Sequence, residues 1–511
     1  MHQKAIADIY HQETKYTEQK MSQYTRPLNW ETQPLPYKQY HSEKKIDLVS
    51  YLPFQNNPFT GKPLLLPKET EATTRQEIAR LLYFTNGVTG IVQYNTGQSL
   101  YLRAAPTAGG LYPTETYIAI RNDPSFEDGV YNFHVNGHSV VPIWEGNFWK
   151  EFEKYCLYHE AIAQSNLLMI MTAIYQRSAW RYQERAYRRI LLDTGHIIGN
   201  AFAYAQEEGW NPYLIGGFFD AEINRLLFLD ESQEGVLAIV AFPKASATHV
   251  EAIHETSAYP SSSKISQGHD PSLQLTLHYV SSILADDPLS PPEQPLSTNP
   301  AMYSDQGLGS HHTVKEVIAL HPNPISWEMG IGRTILKRRS TRTYTGGPFS
   351  MGETSAILEY AYRPITTRPS SFFVPHLLET YVIIQKMVDL KEGIFHYDPT
   401  KHHLEKLCVG DFREQTWHFC LSQELARDAA VVVIHIAHLK TALEQYGDRV
   451  YRYLHMDAGH IGQRINLAAI HLGLGVSGIG GFYDDEVNET LGLSLDWIIV
   501  YITTLGKPAH P

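Results

Sequence analysis

One stretch of this chain is written twice. RYQERAYRRILLDTGHIIGNAFAYAQEEGWNPYLIGGFFDAEINRLL, beginning at Arg181, is matched without a gap by QYGDRVYRYLHMDAGHIGQRINLAAIHLGLGVSGIGGFYDDEVNETL, beginning at Gln445, a displacement of 264 residues. Between Arg185 and Leu227, 17 of 43 positions are identical, against about one in fifteen for unrelated sequence, so the chain contains a duplication. The displacement continues upstream, with Glu115-Thr116-Tyr117 falling on Glu379-Thr380-Tyr381 and Gly129-Val130-Tyr131 on Gly393-Ile394-Phe395. The 511 residues would by length alone suggest about three domains. The repeat reduces these to two homologous ones.

Each copy reads as strand (TYIAI; TYVII), strand (GVYNF; GIFHY), buried strand (LLMIMTAI; AVVVIHIA), long helix, short helix and last strand (GVLAIVAF; WIIVYITTL), an α+β pattern. The long helix contains DTGH or DAGH, and the short helix opens at Asp220 or Asp484, residue types suited to an N-cap. The predicted organisation is an arm over 1–45, a first domain over 46–245, a connector over 246–330 and a second domain over 331–511. The connector is rich in Ser, Pro and His and reads as surface tether, with one helix predicted around Leu273 to Leu284.

Composition excludes several functions. A net charge of −12 offers no basic face for nucleic acid. Cys156, Cys408 and Cys420 are odd in number and far apart, which fits neither a disulfide framework nor a CxxC site and points to a reduced, cytoplasmic chain. The N-terminus lacks the apolar core of a secretory signal, and the longest apolar run, near Val431 to Leu439, is about half a bilayer span. No membrane association is expected.

Four segments carry chemistry suited to a phosphate-bearing planar cofactor. Arg338, Ser340 and Arg342 alternate, so two guanidiniums and a hydroxyl can converge on one phosphate, or else form a solvated basic helix end. Pro106-Thr107-Ala108-Gly109-Gly110 precedes a strand, where small residues let backbone amides approach a ligand or simply make a tight turn. Gly480-Gly481, matched by Gly216-Gly217, exposes bare backbone ahead of a helix and is either a donor to an electron-accepting ring or a shared structural turn. Arg181 and Tyr182 stand at a strand-to-helix junction and serve proton transfer or packing.

Together the RxSxR, PTAGGLYP, YxxRxYR…DxGH and GIGGF segments resemble the FMN-dependent nitroreductase-like proteins, and among them the SagB/ThcOx-type dehydrogenases that include azoline oxidases of peptide natural-product pathways. The resemblance implies two tandem nitroreductase-like domains, each a mostly antiparallel sheet flanked by long helices, paired as an intramolecular pseudo-dimer. Such proteins hold FMN at a dimer interface, the phosphate on RxSxR of one subunit and the ring against the PSAGG-type loop of the other. Here only the second copy has RxSxR and only the first has PTAGG; the second reads Arg368-Pro369-Ser370-Ser371-Phe372-Phe373-Val374-Pro375. One FMN per chain is therefore expected, bounded by Arg338, Ser340, Arg342, Gly480 and Gly481 from the second copy and Pro106, Thr107, Ala108, Gly109 and Gly110 from the first. Lys507 is expected to add to the phosphate contacts, and the twin site to be vestigial.

The resemblance further implies hydride transfer to flavin N5 from a small-molecule or peptide-derived substrate, with oxygen or NAD(P)H as redox partner. Azoline oxidases carry Lys-Tyr where this chain has Arg181-Tyr182 and Gln445-Tyr446. Arginine stays protonated, which leaves Tyr182 for proton transfer, its pKa expected to be depressed by Arg181. The alternatives are an NAD(P)H-dependent nitro or quinone reductase and a non-catalytic flavin-binding or scaffold subunit. No metal is predicted: His311-His312 and His402-His403 are read as loop residues without acidic neighbours, and His196 and His460 as interior or interface histidines.

Overall fold

The computed structural model describes residues 4–23, 26–40, 42–64, 73–93, 99–243, 258–259, 261, 272–285, 316–327 and 330–510. Among these, two seven-stranded sheets repeat one topology. The first runs, edge to edge, Ile46–Asp47, Ser139–Glu145, Gly129–His134, Thr114–Ile120, Ser165–Ile174, Glu234–Pro243 and Tyr213–Ile215. The second runs Glu316–Ala319, His403–Val409, Gly393–Asp398, Glu379–Ile384, Val431–His438, Trp497–Gly506 and Gly475–Ile479. Every pairing within them is antiparallel. All eight strands expected from the sequence are present, and His311 and His312 lie outside the described residues.

A 22-residue helix crosses each sheet, Ala186–Glu207 in the first copy and Val450–His471 in the second. Their sequences are apolar or small on most sides, as suits a helix buried all round. They pack on each other where Gly195 meets Gly459, positions equivalent in the repeat. A Cβ on Gly195 would lie 2.2 Å from the Met456 carbonyl oxygen, and one on Gly459 2.3 Å from that of Leu192. The glycine of DxGH is therefore required for the crossing. The main core is shared between copies, with Tyr187, Leu191 and Phe202 in one apolar cluster with Tyr451, Leu454 and Tyr501.

Arm and connector are more than tether. The arm helix Ile6–Glu13 and the connector helix Leu273–Val280 occupy equivalent places against the two long helices. Tyr451 Oη lies 3.2 Å from His11 Nδ1, and Tyr187 Oη 2.8 Å from His278 Nδ1. Glu316–Ala319, from the stretch read as connector, supplies an edge strand of the second sheet. His403 also departs from the sequence reading: it opens a strand, directly across from Asp398 and two residues from Glu405.

Candidate active site between the two copies

Two reciprocal ion clusters hold the copies in register. Asp484, first residue of the helix after the Gly480-Gly481 turn, accepts from Arg185 Nη1 at 2.8 Å and Arg188 Nη1 at 2.6 Å. Asp220 accepts likewise from Arg449 Nη1 at 2.7 Å and Arg452 Nη1 at 2.6 Å. Neither aspartate caps its own helix as expected; Phe219 and Tyr483 occupy the cap positions without side-chain bonds, because the cross-copy guanidiniums claim both carboxylates. Burial alone would raise the Asp484 pKa, yet Arg185 and Arg188 hold it below its ordinary value. The arm completes one cluster, with Arg185 Nη1 donating to the Thr14 carbonyl and Arg188 Nη2 to that of His11, each at 2.7 Å. The connector completes the other through the carbonyls of Ser281 and His278.

This framework brings the PTAGG loop of the first copy to the RxSxR and GIGG segments of the second. Arg338 crosses over, its Nε donating to the Ala104 carbonyl at 2.9 Å and Nη2 to that of Arg103 at 3.1 Å. It thus fastens the loop's root. Asp193, the acid of DTGH, holds the loop itself, accepting from Thr107 Oγ1 at 2.6 Å and the Ala108 amide at 3.1 Å. Gly109 and Gly110 follow at φ +67° and +72°, a left-handed pair that side chains disfavour. A Cβ on Gly109 would lie 2.7 Å from Tyr182 Oη and 3.3 Å from Arg181 Cδ. Arg189 lies over the Tyr182 ring, 3.8 Å from its centroid, and its Nη1 is 2.9 Å from where a Gly480 Cβ would stand. Gly109, Tyr182, Arg189 and Gly480 therefore form one continuous line across the interface.

The RxSxR segment is anchored at Thr341, whose amide donates to the Val476 carbonyl at 2.9 Å while its hydroxyl accepts from the Val476 amide at 3.0 Å. Ser340 and Arg342 flank it. Arg342 is exposed, and its Nη1 donates to the Ser340 carbonyl at 3.3 Å. Lys507 is not brought to this group: its ammonium pairs with Glu353 and lies over the Phe349 ring, 5.3 Å from the centroid.

Tyr182 does not have the depressed pKa expected. Burial raises it, and the opposing Arg189 and Arg181 do not overcome that. Arg189 is also the closer cation, since Arg181 stands 5.7 Å from the ring centroid. Arg189 and Asp193 are functional candidates that sequence reasoning missed. The available signal was the contrast between copies, because Arg189 of the first copy corresponds to Tyr453 of the second. Burial pushes the Asp193 carboxyl up to about 7, against the bonds from Thr107 and Ala108.

The twin position is filled. Phe372 stacks on His460 (4.3 Å, 20°) and Phe373 on Tyr453 (4.7 Å, 22°). Tyr259 of the connector lies against Gly217, where a Cβ would come 2.1 Å from its ring, and the Ser261 amide donates to the Tyr446 carbonyl at 3.1 Å. Gly216, Gly217 and the 371–374 loop are buried, whereas Gly109 is exposed and Gly480 half-buried.

A family model described as the nitroreductase family matches residues 69–242 and again 335–507. The chain belongs to the nitroreductase family. The two matches reproduce the duplication, and members of this family typically bind flavin. A crystal structure from Anabaena variabilis, named a "putative nitroreductase", is 37% identical, with a TM-score of 0.86 over 99% of this chain and 100% of that one. "Putative nitroreductase MJ1384" of Methanocaldococcus jannaschii is 34% identical over 169 residues, 32% of this chain and 85% of its own length. The Microcin B17-processing protein McbC of Escherichia coli is 22% identical over 145 residues, 27% of this chain and 53% of that protein. Among the described residues no helix is long and apolar enough to cross a membrane.

Proposed function

We propose that the chain is an FMN-dependent oxidoreductase with one flavin per chain, seated between the PTAGG loop of the first copy and the RxSxR and GIGG segments of the second. The observation that carries this reading is the contrast between the two interface positions: at one Gly109 is exposed and Gly480 half-buried, while the other is packed with Phe372, Phe373 and Tyr259. The residues present fit the group. Ser340 and Arg342 offer a hydroxyl and an exposed guanidinium to a phosphate. The left-handed glycines 109 and 110 leave backbone accessible to a flat ring, and Arg189, 7% exposed, keeps a buried Nε with no protein partner. Lys507 would reach the phosphate only by leaving Glu353.

The flavin would supply hydride exchange at N5, while the protein supplies geometry and the proton. Tyr182 is the proton-transfer residue in this reading, its phenol packed between Gly109 and Arg189 with Arg181 alongside. The first direction is dehydrogenation of a small-molecule or peptide-derived substrate, in keeping with the similarity to McbC. One observation favours the reverse, NAD(P)H-dependent reduction of a nitro or quinone compound: burial raises the Tyr182 pKa, so the phenol keeps its proton near neutrality and is poorly placed to act as the base that dehydrogenation needs. Flavin released from saturated protein is expected at one equivalent per chain, and two equivalents would overturn the single-site reading. Anaerobic bleaching of the flavin by NAD(P)H selects the reductive direction, and bleaching by substrate alone selects dehydrogenation. A colourless chain that takes up no FMN would leave only the scaffold reading.

A further inference from the structure

The second sheet carries an alternating row of carboxylates and imidazoles remote from the interface. Its hairpin pairs His396 with Glu405 and Asp398 with His403 across Gly393–Asp398 and His403–Val409, and Glu379 lies on the neighbouring strand. Because side chains on directly opposed residues share a face, the polar groups converge. His403 Nε2 lies 3.1 Å from Glu405 Oε1 and 3.8 Å from Asp398 Oδ2. One ligand atom from each of these three residues falls within 4.8 Å of the others. The second Glu405 oxygen faces His396 Nδ1 at 3.2 Å, and His396 Nε2 faces Glu379 Oε2 at 3.7 Å.

The row is pre-shaped rather than accidental. Asp398 Oδ1 is occupied by the turn amides of Thr400 (2.9 Å) and Lys401 (3.1 Å), which leaves Oδ2 directed at the imidazole. The neighbouring His402 bonds instead to Tyr397 and Ser355 and takes no part. Three carboxylates and two imidazoles face few cations. The Lys401 ammonium, on a side chain 66% exposed, lies 3.2 Å from Asp398 Oδ2 and is easily displaced, while Lys406 is paired with Glu316. Glu379 Oε2 is buried without a hydrogen-bond partner. The first copy has no such group, since the equivalent positions are Glu115, Asn132, His134, Ser139 and Val141.

We infer that Asp398, His403 and Glu405 form a binding site for a borderline divalent transition-metal ion of the zinc class. His396 and Glu379 hold Glu405 in place from behind. Ligands about 2.0–2.2 Å from a tetrahedral ion stand roughly 3.3 Å apart, and the observed 3.1 and 3.8 Å bracket that spacing. One imidazole with two carboxylates favours Zn2+ or Co2+ over Ca2+ and Mg2+, which prefer all-oxygen sets. Three protein ligands leave a position for water, and the ion would clamp the hairpin by joining both of its strands.

Isothermal titration of Zn2+ into the EDTA-stripped full chain tests this. One equivalent should bind with micromolar affinity, weakened tenfold or more by His403→Ala and by Glu405→Gln. It should be untouched by His418→Ala, which removes the imidazole of a second, more exposed cluster with Glu18 and Glu486. Binding no tighter than millimolar, or unaffected by His403→Ala, overturns the site. Co2+ added to the unaltered chain gives a reading that needs no variant: visible absorption of nitrogen-ligated cobalt supports the site, and its absence overturns it.

Discussion

The two interface positions began as copies of one another and now differ in what fills them. At the first, Asp193 grips a loop of small residues, and Arg189 lies over the Tyr182 ring beside it. At the second, Asp457 holds the equivalent loop by the amides of Phe373 and Val374, but the side chains of Phe372 and Phe373 turn inward onto His460 and Tyr453. The supporting parts are kept at both: the glycine crossing, the aspartate that grips the loop and the Arg-Arg-Asp clusters. The shared framework is therefore separable in this fold from the side chains it presents, since the same supports carry an exposed glycine loop at one position and packed aromatics at the other.

The most disruptive test attacks what the two positions share. Asp220→Asn and Asp484→Asn each leave two buried guanidiniums without a counter-charge, a loss of about 3–5 kcal/mol for a broken buried pair. Both should lower the chemical-denaturation midpoint similarly, but only Asp484→Asn, which also releases Tyr16 and the arm beside Gly481, should depress flavin binding. Tyr182→Phe and Tyr446→Phe then separate chemistry from framework. The first should reduce turnover on the order of 100-fold with flavin retained, and the second should leave turnover unchanged. Arg342→Ala should weaken flavin affinity about tenfold in a fluorescence titration, as for one lost charge-assisted phosphate contact.

The subtlest contrast concerns pH. Asp193 and Asp457 both have carboxyls raised to about 7 by burial. A group whose folded pKa is raised stabilises most below its unfolded pKa, about 3.9, and that contribution is lost as pH rises through the folded value. Stability should therefore decline between about pH 4 and pH 7. Asp193→Asn and Asp457→Asn should each flatten part of the decline in urea unfolding followed across that range, equally if the two loops are held alike.

The duplication, the eight principal strands and the long helices were legible because apolar period and repeat spacing coincide over long segments. The hairpin strand His403–Val409 was not, since HLEKLCV interleaves charges that resemble a loop. The relation between arm and connector was hidden by a changed displacement: His11 and Thr14 correspond to His278 and Ser281 at 267 residues rather than 264, and only the histidine is identical. Of the candidate site, the glycines and the RxSxR segment were readable as motifs. Arg338 as a fastener of the opposite loop, Arg189 over Tyr182 and the cross-copy aspartates were not, because each acts on a residue of the other copy or on a partner chosen by helix packing.

The exchanged ion clusters also bear on how the chain is made. Arg449 and Arg452 find Asp220 already synthesised, but Arg185 and Arg188 must wait for Asp484, 299 and 296 residues further along. The first half thus leaves the ribosome with two arginines bound for its interior and no acid to receive them. Its final closure is postponed until Asp484 has been made, so the order of synthesis makes the second copy the piece that locks the first.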